Sequence, residues 1–149
     1  MAECIRTRRI DSSPGEVWAT LADLGAISSW APNCEHSSLL TEGNGTGVGA
    51  VRRVQAGRTT LLERVVEWEP EGVLAYQLEG LPSVIRSAVM EWRLRLEADA
   101  TIVTLTSRVD AGPRPPQRLI ANIAARRLAK ASDQMLDGLA TRHQVQETP

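Results

Sequence analysis

The chain has 149 residues, of which 42% are hydrophobic and 23% charged, and its formal net charge is -1. This length predicts a single domain, residues 1–149, that buries roughly two-thirds of its unfolded surface. The near-zero net charge gives no overall attraction to nucleic acid or to an anionic membrane, so we expect no nucleic-acid partner. No apolar run is long enough to cross a bilayer, which excludes an integral membrane segment.

The N-terminus and the cysteines predict a cytoplasmic, bacterial protein. Residues 1–10 are charged and lack the apolar core of a signal peptide. Cys4 and Cys34 have no metal-binding or redox spacing, which is typical of a reducing compartment. Lys130 is the only lysine among 17 basic residues, a bias typical of GC-rich bacterial genomes.

The first elements are a strand over residues 3–10 and two short helices. Ser13 followed by Glu16 is a helix-capping pattern, with Pro14 at a favourable first-turn position. Apolar residues at helical spacing follow it, beginning with Val17 and Trp18. A second short helix over 26–30 must end before Pro32, because the residue before a proline is disfavoured in the α conformation.

The middle of the chain predicts an antiparallel meander. The glycine-rich run 43–49 is followed by a strand pattern rather than a helix, so it is a turn and not a nucleotide-binding loop. A strand leads into this run over residues 33–40. Period-two patterns and turn residues predict the following strands at 50–56, 59–68, 73–78, 84–96 and 101–109.

The last element is a helix over about 116–143, introduced by Pro115 and Pro116. Its apolar residues recur every three or four positions and predict one buried face, composed of Ile120, Ile123, Ala124, Leu128, Ala131, Met135 and Leu139. A basic patch of Arg126, Arg127 and Lys130 is interpreted as solvated, although Arg127 could instead meet an acidic ligand head group at a pocket mouth. His143 lies near the helix C-terminus, where a charged imidazole would suit the helix dipole.

Several short motifs resemble one superfamily in their order and spacing over nearly the whole chain. They are Ile10–Trp18, Trp30-Ala31-Pro32, Gly47-Val48-Gly49, Glu63-Arg64-Val65 before Glu69-Pro70, Glu91-Trp92-Arg93-Leu94 and Ala100–Thr104. The chain resembles START-like (SRPBCC) proteins, particularly the polyketide cyclase/dehydrase group. The resemblance implies an α+β helix-grip fold. In this fold a curved antiparallel sheet of about seven strands wraps around the long C-terminal helix, with two short helices after the first strand.

The resemblance also implies a small hydrophobic or amphipathic ligand, polyketide-like or lipid-like, held between sheet and helix. A chain without Phe leaves some of that space unfilled. The resemblance therefore implies a protein that binds this ligand. If it is also an enzyme, it would be a polyketide cyclase or dehydratase that needs no metal or cofactor. A non-catalytic carrier or sensor is one alternative. A chaperone-interacting module is another, although Glu91, Arg93 and Arg95 on the outer face argue against it. Monomer and homodimer both stay open.

Glu63 and Arg52 are the candidate catalytic residues. Glu63 lies two residues from both Leu61 and Val65 on a predicted strand, so the three side chains share one face and the carboxylate is expected in the interior. There its pKa would be raised, which suits proton transfer or ligand anchoring. Equally, Glu63 could pair with Arg52 or Arg53 for structure alone. Only one of these two arginines faces inward, because neighbours on a strand point apart. The resemblance favours Arg52, and in similar cyclases a cavity arginine holds the polyketide chain.

The remaining candidate site residues are expected to bind ligand. They are Val54, Tyr76, Leu78, Met90, Trp92, Leu105, Ser107, Ile120, Ile123, Ala124 and Arg127. Tyr76 and Trp92 would offer hydrogen-bond donors, and both could equally be structural. No metal site is expected, since no cluster of ligand residues has suitable spacing. A Cys34–His36 nucleophile is rejected, and His36 is interpreted as an ordinary hydrogen-bonded residue.

Overall fold

The computed structural model describes residues 1–43 and 47–144. The described part folds in the predicted order: β1 (Ala2–Ile10), α1 (Pro14–Ala22), a 3₁₀ helix (Leu24–Ser29), β2 (His36–Thr41), β3 (Val51–Ala56), β4 (Thr59–Glu69), β5 (Val73–Glu79), β6 (Ser87–Glu97), β7 (Ala100–Asp110) and α2 (Pro115–Arg142). Residues 44–46, in the predicted glycine-rich turn, lie outside the described residues. No helix in the part of the chain that is described is both long and apolar enough to span a membrane.

The seven strands form one antiparallel sheet in the order β1-β7-β6-β5-β4-β3-β2. Strands β2 to β7 are a meander in which each strand pairs with the next, and β1 pairs with β7 at the opposite edge. The expectation of about seven strands, two short helices and one long helix is confirmed. The protein therefore has the α+β helix-grip fold.

Strand register determines which side chains share the sheet face under α2. Directly opposed residues on antiparallel strands point to the same side of the sheet. Arg52 lies opposite Glu63, and Met90 lies opposite Ser107. The Ser107 hydroxyl is 3.5 Å from that of Ser132 on α2, which identifies this face as the covered one.

Helix α1 begins as the sequence predicts. The Ser13 hydroxyl accepts a hydrogen bond from the backbone N–H of Glu16 at 3.2 Å, and Pro14 occupies the first turn. Such a cap contributes about 1 kcal/mol. The helix buries Val17, Trp18 and Leu21 against the sheet.

Helix α2 packs on β1 and β7 through small residues. Ala121, Ala125 and Ala129 are each nearly inaccessible, whereas Ile123, predicted on the buried face, is 46% exposed. The buried face is thus rotated from the predicted one in the first half of α2. Because alanine side chains are small, they allow the backbone of α2 to approach the sheet closely. The larger Ile and Leu side chains in this part of α2 lie beside this contact rather than in it. Near the middle of the helix, the Arg6 guanidinium forms an ion pair with Asp133 at 3.1 Å.

The last turns of α2 contact the segment that follows the 3₁₀ helix. A Cβ atom at Gly138 would lie 2.1 Å from the Trp30 carbonyl oxygen, so glycine is required by this close approach. His143 is 2.8 Å from the Thr20 hydroxyl and 3.1 Å from the Ser12 hydroxyl. Burial lowers the pKa of His143, so the neutral ring is favoured over the cationic ring expected from the helix dipole.

Candidate functional site

A cavity of about 310 Å³ opens between the first half of α2 and the loop joining β5 to β6. Its floor contains Ala88 of β6 and Val109 of β7, which are opposed in the sheet. Small side chains at Ala88 and Ala124 leave this space unfilled. The complete lining is Leu81, Pro82, Val84, Ile85, Ala88, Val109, Ile120, Ile123, Ala124, Arg127 and Leu128. The volume is at the lower end of the range for small-molecule sites.

Arg127 is the one charged residue in this lining. The residue is exposed on α2, and its side chain borders an otherwise apolar space. The lining is therefore apolar except for a single cation at its edge.

Arg52 and Glu63 form a buried ion pair some distance along the same sheet face. Arg52 Nε is 2.6 Å from Glu63 Oε1, and the side chains are 3% and 9% exposed. Arg52 also donates a hydrogen bond to the Leu24 carbonyl at 3.3 Å. Strand alternation turns Arg52 inward and leaves Arg53 only partly buried. The two candidate catalytic residues are therefore brought together, but as partners of each other.

An aromatic cluster extends this pair across the interior. The Arg52 guanidinium carbon lies 4.8 Å from the centre of the Tyr76 ring, a cation–π contact. Trp92 donates its indole N–H to the Tyr76 hydroxyl at 3.2 Å, and Trp30 packs edge-on against Trp92 at 5.9 Å. The Trp30 indole N–H is buried and has no hydrogen-bond partner within the described residues. Large side chains fill this central part of the interior.

Burial and the charge of Glu63 determine the protonation states of Arg52, Tyr76 and Cys34. Burial would lower the pKa of Arg52, but the Glu63 carboxylate outweighs this effect and the pKa is raised. Burial, followed by the charge of Glu63, raises the pKa of Tyr76 well above its usual range. The same two causes raise the pKa of Cys34 to about 11. At neutral pH the site therefore contains a cationic guanidinium, a neutral phenol and a neutral thiol.

The predicted ligand-binding residues divide into two groups. Ile120, Ile123, Ala124 and Arg127 line the cavity. The sheet residues are all buried on the same face and are not part of its lining: Val54, Tyr76, Leu78, Met90, Trp92, Leu105 and Ser107. Met90 and Ser107 are the next inward-facing pair beyond Ala88 and Val109. The two groups are therefore contiguous along β6 and β7.

Sequence reasoning missed the lip of the cavity formed by Leu81, Pro82, Val84 and Ile85. The sequence pattern predicts a strand from residue 84, whereas β6 begins only at Ser87 and the residues before it border the cavity. A signal was present, since an apolar run of this kind is unusual in an exposed turn.

The opposite face of the sheet carries an ion-pair network. Glu91 is mostly buried and accepts hydrogen bonds from Arg93 at 2.5 Å and from Arg108 at 3.3 Å. Arg108 also pairs with Glu3 at 3.0 Å. Although burial opposes it, hydrogen bonding to Arg93 keeps the pKa of Glu91 lowered. A chaperone-interacting module would need an apolar surface on this face, and this charged network occupies it instead.

The His and Cys residues contribute no further site in the described ranges. Residues 1–43 and 47–144 contain no group of three or more His, Cys, Asp or Glu side chains placed to hold a metal ion. His36 is exposed, and Cys34 is buried beside the Arg52–Glu63 pair.

Solved structures similar to this chain include the following three. The aromatase/cyclase ZhuI from Streptomyces sp. R1128 has a TM-score of 0.73 at 20% identity, over 95% of this chain and 93% of its own. A START superfamily protein from Mycobacterium smegmatis has a TM-score of 0.75 at 14% identity, over 95% and 96%. A protein from Thermobifida fusca has a TM-score of 0.74 at 25% identity, over 96% and 93%. These similarities support the fold.

One family model matches nearly the whole chain. Residues 1–144 match the model described as polyketide cyclase/dehydrase and lipid transport. No curated protein matches the sequence. The family match supports a module that binds hydrophobic ligands. Because the match extends over nearly all of its length, this chain belongs to the polyketide cyclase/dehydrase and lipid transport family.

Proposed function

We propose that this protein binds a small amphipathic molecule, with a lipid-like or polyketide-like apolar part, in the cavity beside α2. The observation that carries the proposal is the cavity itself: about 310 Å³, apolar, with Arg127 at its edge. The apolar part of the ligand would lie on Ala88, Val109 and Ala124. A carboxylate or enolate end would meet the Arg127 guanidinium.

A longer ligand would extend along the sheet toward the second group of predicted residues. Met90 and Ser107 would be reached first, because they adjoin the cavity floor. Met side chains change rotamer readily and adapt to a guest. Trp92 and Leu105 follow one step further along the same strands.

Cyclase or dehydratase catalysis is the second candidate function. The observation favouring it is a buried cluster of Arg52, Glu63, Tyr76 and Trp92, whose polar atoms could orient a polyketide and stabilise an enolate. Glu63 would have to accept a proton either at its second carboxylate oxygen while paired or after parting from Arg52. Carrier or sensor function needs neither, and the resting ion pair therefore favours it.

A binding titration tests the cavity. We expect cis-parinaric acid, a fluorescent fatty acid, to bind the protein and to lose at least about tenfold in affinity in Ala124→Phe, because the added ring fills the cavity. Gln134→Phe adds the same ring at an exposed position of α2 and should bind like the wild type. Unchanged binding by Ala124→Phe would refute the cavity assignment.

Two further measurements separate the roles within the site. Arg127→Gln should weaken binding of a fatty acid by about tenfold and leave the corresponding alcohol unaffected, because only the acid makes a charge-assisted bond.

For catalysis, turnover of a poly-β-ketone should be lost in Glu63→Gln and reduced in Tyr76→Phe. Circular dichroism would confirm folding of each variant. Equal turnover in the wild type and in both variants would reject the catalytic candidate.

A further inference from the structure

The segments on both sides of the cavity mouth are basic and contain no acidic residue. Residues 111–132 contain Arg114, Arg118, Arg126, Arg127 and Lys130 but no Asp or Glu. Residues 80–90, on the other side, contain Arg86 and again no acidic residue. All 18 acidic residues therefore lie elsewhere, and the formal net charge of -1 conceals a strongly polar distribution.

Apolar side chains project from the same surface. Leu119, Ile123, Arg126 and Lys130 follow one another at helical spacings of four, three and four, so they share one face of α2. All four are exposed. Across the mouth, Val84 is also exposed, at 54%. We call these five residues, together with Arg127, the mouth surface.

The acidic residues that follow this surface on α2 are already neutralised. Asp133 and Asp137, the next acidic residues along α2, pair with Arg6 and Arg8 of β1. Lys130 and Arg126 are therefore not offset by the carboxylates that follow them on the helix. A strip of basic residues with protruding Leu and Ile is typical of a helix that lies in the interface of an anionic bilayer.

We propose that the mouth surface docks the cavity opening onto an anionic lipid membrane. The inference rests on the proposed apolar-ligand cavity, and it names the membrane as the place where ligand enters or leaves. Net charge is a poor guide here, because the field of anionic lipids acts only within about a Debye length, roughly 8 Å in physiological salt. Leu119, Ile123 and Val84 would enter the headgroup region while the basic side chains contact lipid phosphates.

Two other occupants fit the surface less well. A second copy of this chain would bring like charges together across a symmetric interface, which is unfavourable. An acidic protein would satisfy the cations but would not by itself account for three exposed aliphatic side chains at the mouth. The bilayer satisfies both features at once.

Vesicle flotation tests the docking with residues that do not line the cavity. We expect the full chain to bind vesicles of phosphatidylglycerol and phosphatidylcholine, but not phosphatidylcholine alone. Each basic residue near the surface contributes about fivefold to partitioning, so Arg126→Glu/Lys130→Glu should weaken binding at least about 25-fold. Arg58→Glu/Arg95→Glu makes the same change in net charge at exposed positions elsewhere and should weaken binding little.

The apolar contribution has an equally close control. Leu119→Ser should weaken vesicle binding about tenfold, whereas Leu96→Ser on another surface should not. Leu119 is 60% exposed and Leu96 is 61% exposed, so the two changes remove similar solvent-accessible groups. Parinaric acid binding in solution should be unchanged in all of these variants.

Three outcomes would overturn the docking proposal. One is no binding to anionic vesicles while parinaric acid binds normally, which would leave the cavity intact. A second is binding that depends on the charges but not on Leu119, which would indicate a general polyanion site. The third is binding to polyglutamate but not to vesicles, which would indicate an acidic protein partner. Vesicle binding without parinaric acid binding would instead count against the proposed function alone.

Discussion

Replacing Glu63 by Gln tests whether the buried ion pair stabilises the fold. The change preserves side-chain shape but leaves the Arg52 guanidinium, 3% exposed, without its counter-charge. Breaking a buried pair in this way costs about 3–5 kcal/mol. A domain of this size has a total stability of about 5–15 kcal/mol. At about 2–4 °C per kcal/mol, the melting temperature should fall by about 6–20 °C.

The exposed pair Arg64–Glu79 provides the matched control. Its Nε–Oε1 distance is 2.9 Å, close to that of the buried pair, but the side chains are 47% and 38% exposed. Surface pairs contribute about 0–1 kcal/mol, so Glu79→Gln should be nearly neutral. Thermal unfolding followed by circular dichroism measures the melting temperatures of both variants, and urea unfolding followed by tryptophan fluorescence measures their free energies of unfolding.

A second variant keeps the test interpretable if Glu63→Gln fails to fold. Arg52→Met/Glu63→Leu removes both charges, and such replacements are often neutral or stabilising. We expect it to recover most of the lost stability, although the Arg52 hydrogen bond to Leu24 is also lost. If Glu63→Gln is no more destabilising than Glu79→Gln, burial does not make the pair structurally important and the reasoning is wrong.

Three further outcomes are expected. Gly138→Ala should destabilise the protein by about 1–3 kcal/mol in urea despite better helix propensity, because its Cβ would lie 2.1 Å from the Trp30 carbonyl oxygen. His143→Gln should reduce the loss of stability that occurs as the pH falls below about 6.5. Burial lowers the folded-state pKa of His143 below 6.5, so the unfolded chain binds the proton first as pH falls. Cys34, with a pKa of about 11, should resist iodoacetamide at mildly alkaline pH until the protein unfolds, as followed by mass spectrometry.

Each of these outcomes has a clear opposite. A raised urea midpoint for Gly138→Ala would mean that helix propensity outweighs the close approach to Trp30. An identical pH dependence in His143→Gln would mean that this ring does not contribute to the acid side of the stability curve. Alkylation of Cys34 at the rate of a free thiol in the folded protein would contradict its burial beside Glu63.

The sequence by itself determined the elements and their order. Period-two alternation predicted the strands, and a spacing of three and four predicted α2 to within one residue at each end. The Ser13 cap was also predicted, because capping is local to a few residues. Alternation required that only one of Arg52 and Arg53 face inward, and the structure shows that it is Arg52.

Only the tertiary structure decided the face of α2, the partner of Glu63 and the position of the cavity. Periodicity shows which side of an element is apolar, but it does not show what that side contacts. On α2 the predicted face contained Ile120 and Leu128, which border the cavity, whereas the residues buried in the first half of the helix are Ala121, Ala125 and Ala129. A cavity is the difference between enclosed volume and side-chain volume, and that difference depends on how closely the helix and the sheet approach each other.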